Sequence, residues 1–195
     1  MNCARRFIVT FTVLLFSATI VFAQTKVSGP STAIKPGFDR EAQLNNIFAR
    51  FRSATNETQS RIVTGDMWHV FMMAPDADTA NDMNRALQAI REFNMERALS
   101  ILDSMVSRHP TFAEAWNQRA YVHFLKREFP KSLENCEKVL ELEPRHIGCL
   151  TGMARILIQH LGRPQAGVRQ LKKAVALNPW LRERELLQFV PTTDL

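Results

Sequence analysis

The chain has 195 residues, of which 46% are hydrophobic and 23% charged, enough apolar side chain to close a core and too little net charge for a disordered chain. Seven glycines and three cysteines exclude a collagen-like or disulfide-dense scaffold. The formal charge of +6 is moderate, compatible with acidic proteins or lipid headgroups and no argument for nucleic acid.

Arg5 and Arg6 precede an apolar stretch from Phe7 to Phe22, and Val21-Phe22-Ala23 carries small residues suited to a cleavage site. Residues 1–23 therefore read as an export signal peptide, removed after Ala23, and its loss lowers the formal charge by two. The run is shorter than the ~20 residues that span a bilayer, which favours removal over retention as an anchor. Residues 24–40 follow with Ser28-Gly29-Pro30 and Lys35-Pro36-Gly37 and no apolar period, the pattern of a flexible leader.

A helical period begins at Glu41, with Leu44, Ile47, Phe48 and Phe51 on one face. Asn56-Glu57 opens a second helix that carries Ile62, Val63, Trp68, Val70, Phe71 and Met72 up to Pro75. The pair over residues 41–75 is expected either as a degenerate repeat or as an unrelated helical cap.

Pro75, Pro110, Pro144 and Pro179 are 34 or 35 residues apart. Between them small residues recur, at Ala86, Ala120 and Ala154 and again at Ala98, Ser132 and Ala166, in steps of 34. A bulky Trp116, the small Ala120, the aromatic Phe129, the small Ser132 and the terminating Pro144 complete the middle copy. Two short helices approach closely only where a side chain is nearly absent, and proline ends the second because it has no N–H to continue the ladder.

This spacing resembles the tetratricopeptide repeat (TPR) family over roughly residues 79–180. The resemblance implies an all-α fold, a helix-turn-helix solenoid of about three repeats with an N-terminal helical pair and a C-terminal cap, so that residues 76–195 form one repeat domain. The third copy has one residue too many, expected at the Gly162 turn or in the second helix near Gly167. Beyond Pro179, Trp180, Leu181, Leu186, Leu187, Phe189 and Val190 alternate with charges as an amphipathic capping helix would.

In this family the first helix of each repeat lines the concave face. Carried over by position, the expected groove residues are Met83, Leu87 and Ile90, then Asn117, Tyr121 and Phe124, then Thr151, Arg155 and Gln159. The competing reading is that the apolar members are simply covered by neighbouring helices. The family's lysine and asparagine carboxylate clamp is not expected, since Met83 and Leu87 stand in its place. Arg163, Arg169, Lys172 and Lys173 fall on the convex side as a solvated face.

The five histidines lack any metal-ligand spacing and no nucleophile has a base set beside it, so neither metal, cofactor nor catalysis is expected. Cys136 and Cys149 either bridge in an oxidising compartment or remain two buried thiols; their places in the repeat register favour the thiols. Stretches such as Ala115–Ala120 and Glu143–Gly148 are similar to small exported bacterial TPR proteins of unassigned function. The expectation is a periplasmic, non-catalytic interaction module holding a peptide segment or helix of a protein partner. The alternative is a membrane-tethered assembly factor, which touches the membrane only if the signal is retained.

Overall fold

The computed structural model describes residues 30–189. The expected signal peptide lies outside them, as do residues 24–29 and 190–195. Eight α-helices follow in chain order: α1 (Arg40–Ser53), α2 (Glu57–Phe71), α3 (Ala77–Arg91), α4 (Met95–Arg108), α5 (Ala113–Leu125), α6 (Phe129–Leu142), α7 (Ile147–Arg155) and α8 (Pro164–Leu177). A π-helical turn, Ile156–His160, extends α7, and a 3-10 segment, Arg182–Phe189, ends the described chain. No described helix is long and apolar enough to cross a membrane.

The first four helices start where an Asx side chain stands ready to accept a free backbone N–H. Asp39 caps Ala42, Asn56 caps Gln59, Asp76 caps Thr79 and Asn94 caps Arg97. Proline takes the first turn of both α6 and α8, where its missing N–H costs nothing. The turn inside each repeat needs one left-handed residue, supplied by Phe93 (φ 56°), Arg127 (φ 60°) and Gly162 (φ 60°). Only the last is glycine, so the first two turns hold a side chain where the backbone disfavours one.

Helices α3–α4, α5–α6 and α7–α8 pair as three successive hairpins. Their close crossings fall on the small residues: Ala86, Ala98 and Ala154 are fully buried, and the Ser132 hydroxyl donates to the Ala120 carbonyl at 2.8 Å. In the third hairpin the partner is Gly167, not Ala166. A β-carbon on Gly167 would stand 2.8 Å from the Ala154 carbonyl oxygen, whereas Ala166 is half-buried.

The register shift has a single cause. Left-handed residues Phe93, Arg127 and Gly162 step by 34 and then 35, while α5 and α7 start 34 apart, so the additional residue lies within the first helix of the third repeat. The π turn absorbs it, with Leu161 N–H bonding back to the Ile156 carbonyl at 3.1 Å. The expected position at the turn or near Gly167 is thereby corrected. Pro130 and Pro164 misled because they occupy successive places in the first turns of their helices, not the same one.

The N-terminal pair packs apart from the row of repeats. Leu44, Ile47, Phe48, Phe51, Val63, Met67, Val70 and Phe71 form one apolar cluster with Ile147, and Leu177 and Leu181 pack against it. Hairpin α1–α2 thus sits on the third repeat instead of extending the stack as a fourth. Phe51 and Val63, too large for a close repeat crossing, are buried at 0% and 5% exposure in this separate core.

The described part of the leader is tied down, which corrects the flexible reading for those residues. Ser31 donates its hydroxyl to the Met72 carbonyl at 2.6 Å, and Ala74 N–H bonds the Thr32 carbonyl at 2.8 Å while Ile34 N–H bonds Ala74 at 2.9 Å. Asn84 of α3 closes the arrangement by bonding both the N–H and the carbonyl of Ser31. At the other end, the expected capping helix is a 3-10 segment held against α8.

Candidate functional site: the concave face

Four side chains set where α2 meets the repeats. Glu114 opens α5 and His146 caps α7, and both are completely buried. His146 Nδ1 accepts the Cys149 N–H at 3.2 Å, which leaves Nε2 to donate to Glu114 Oε2 at 3.1 Å. The second Glu114 oxygen accepts from Asn117 at 2.8 Å and from Gln118 at 2.6 Å. A buried carboxylate is tolerated only with such a full set of donors.

The His146 ring is then a flat platform. Phe71 of α2 stacks on it at 4.5 Å with an interplanar angle of 14°, and Trp68 meets it edge-on at 5.7 Å. Above the platform, Arg145 reaches Glu41 and Asn45 of α1 at 2.8 Å each, while Glu143 holds Arg145 Nε at 2.9 Å and lies 3.5 Å from Arg40. Burial alone would raise the Glu143 carboxyl, but the Arg145 hydrogen bonds and charge, with Arg40 behind them, hold it below the usual range. Ser60 of α2 donates to Asn178 at 2.9 Å, and the Trp180 indole donates to the Ala54 carbonyl at 2.9 Å.

The expected groove residues separate into two sets. Met83, Leu87 and Ile90 are corrected to core: they are buried at 0, 8 and 7% exposure among Leu102, Met105, Val106, Phe112 and Val122. Asn117 serves the interior, donating to Glu114 and accepting the Cys149 thiol at 3.1 Å. Arg155 is buried and approaches Glu183 of the 3-10 segment at 3.4 Å, and burial lowers its pKa. Thr151 lies beneath α2, its hydroxyl donating to the Ile147 carbonyl at 3.0 Å.

Tyr121 and Phe124 of α5 are half-buried and Gln159 of the π turn is exposed. Burial raises the Tyr121 phenol. Near them Phe129 stacks on His160 at 4.4 Å and 11°, with Phe124 5.9 Å from both rings. Burial, then the charges of Arg127 and Arg155, lower the His160 pKa, so the imidazole is neutral near pH 7 and behaves as a third aromatic face.

Cys136 and Cys149 are free thiols and buried. Burial first, and the neighbouring Cys136 thiol second, push the Cys149 thiol well up, so Cys149 is not set up as a nucleophile. Among the described residues no cluster of three His, Cys, Asp or Glu could hold a metal ion.

Residues 113–146, which are α5, α6 and the turn to His146, match the family model described as Tetratricopeptide repeat. Over those residues the chain carries a tetratricopeptide repeat. A TPR repeat-containing protein of Rhizobium etli is 37% identical over 97 residues, 50% of this chain and 47% of the relative. The chain spans about half the length of the curated relative it matches.

The sequence gives Trp68, Phe71, Glu114 and His146 no site role, because none occupies a repeat-defining position. One signal was present: a helix whose first turn holds Gly148 leaves room for something large beside it. A β-carbon there would lie 2.6 Å from the Trp68 ring.

Proposed function

We propose that this TPR chain is a non-catalytic interaction module of the bacterial cell envelope, exported to the periplasm, that holds a segment of a protein partner on the inner face of its second and third repeats. TPR repeats in general mediate protein–protein interaction, and the fold presents rigid helical surface without an activated nucleophile among the described residues. The observation that carries the reading is the aromatic cluster of Phe124, Phe129 and His160 beside Tyr121 and the exposed Gln159. Aromatic side chains with few rotatable bonds are the usual anchors of an interface. The α1–α2 hairpin covers the third-repeat end of the face, so a partner segment would be confined to the α5 side.

A photo-crosslinking residue at position 121 and another at 159 should capture one and the same protein in cells, and Phe124→Ala should abolish both adducts with helicity unchanged. A crosslinker at exposed Ile62 on α2 serves as the control. Different proteins at 121 and 159, or capture equal to that at 62, would overturn the reading. The intact mass of the mature chain tests export: it should begin at Gln24.

A further inference from the structure

The docked hairpin leaves a cavity of about 410 Å³ between α2, the start of α7 and the segment after α8. That is within the size range of small-molecule sites. Met67, Trp68, Ile147, Trp180 and Leu181 give it apolar and aromatic walls, and Ser60 and Asn178 supply a polar floor.

The floor carries a donor with nothing to donate to. Asn178 is only 2% exposed and lines the cavity. Its Oδ1 is fixed as the acceptor, because it takes the Trp180 backbone N–H at 3.0 Å as well as the Ser60 hydroxyl at 2.9 Å. The amide Nδ2 is therefore on the other side, and no acceptor for it exists among the described residues. Nδ2 is not sealed from solvent, and a carboxylate brought by a ligand would take it in a charge-assisted hydrogen bond.

Charge selects the acceptor. The cavity lining includes Arg61, Arg182, Glu57 and Glu183, but Glu183 is already engaged by Arg155. Arg61 and Arg182 are exposed and make no ion pair among the described residues, leaving one cation in excess over Glu57. Apolar walls, an amide donor open to the cavity and surplus guanidinium together describe a site for one kind of molecule.

We propose that this cavity binds a small apolar carboxylate, its hydrocarbon or aryl body between Trp68, Trp180 and Leu181 and its carboxylate on Asn178 Nδ2 with an arginine at the mouth. The proposal goes beyond the interaction reading, concerns a different surface, and fails or stands independently of it.

Isothermal titration of the full chain with 4-phenylbutyrate tests it, with 4-phenylbutylamine as the charge-reversed control. The acid should bind saturably at one site and the amine should not. Asn178→Leu should weaken the acid at least tenfold, and so should the exposed pair Arg61→Glu with Arg182→Glu, which leaves the core intact should the first variant fail to fold. Equal binding of acid and amine, no saturable heat, or an unchanged affinity in the arginine variant would overturn the proposal. So would binding of a five-residue peptide ending in a phenylalanine carboxylate without binding of the free acid.

Discussion

The ring of Trp68 stands over Gly148, with its Cη2 2.6 Å from where a β-carbon would lie. Contact at that distance has no room for a methyl group, and the indole, wedged against Phe71 and His146, cannot step aside cheaply. Gly148→Ala should destabilise the protein by about 1–3 kcal/mol, the usual cost of overpacking. Hydrogen exchange should place the loss: amides of residues 40–71 should exchange faster while those of α5 and α6 stay protected. Uniform acceleration, or none, would show that the hairpin is not seated on α7 in this way.

The third repeat makes a second sharp contrast between adjacent residues. Gly167→Ala puts a methyl 2.8 Å from the Ala154 carbonyl oxygen and 2.5 Å from Ile158, so a loss of about 1–3 kcal/mol is expected by urea unfolding. Ala166→Gly, one position earlier on the half-buried face, should cost about 1 kcal/mol or less, the helix-propensity difference alone. Reversal of that order would restore the 34-residue register and remove the π turn as the site of the additional residue.

Acid should weaken the protein through Glu143. Its folded pKa lies below the ordinary value of about 4.3, so the stability it contributes is complete above that value and is lost as pH falls through the folded one. Glu143→Gln removes this dependence and should give a shallower decline of unfolding free energy below about pH 4.3. The measurement is a series of urea midpoints against pH, and parallel acid limbs for the two proteins would count against the assignment.

The repeat architecture was legible because it rests on local chemistry. Prolines at steps of 34 or 35 residues and small residues at helix crossings act within one or two turns of where they stand, and the apolar face Leu44–Phe51 was readable as such. What the chain does with its concave face was not. Met83, Leu87 and Ile90 sit at groove positions by register yet belong to the core, since burial is decided by which neighbouring helix arrives and not by phase within a repeat. Likewise the seat of α2 depends on His146, Glu114 and Phe71 meeting across long stretches of chain. No periodicity in the sequence encodes such a meeting.

A row of stacked hairpins ordinarily touches only the next in line, so its ends unravel independently. Here Arg145 bonds Glu41, Ser60 bonds Asn178 and Trp180 bonds Ala54, joining residues 104, 118 and 126 positions apart. The first hairpin therefore acts as a clasp on the last, turning an open-ended rod into a closed loop of contacts. Terminal fraying is suppressed at the expense of slower assembly, because the clasp can form only after distant parts of the chain have found one another.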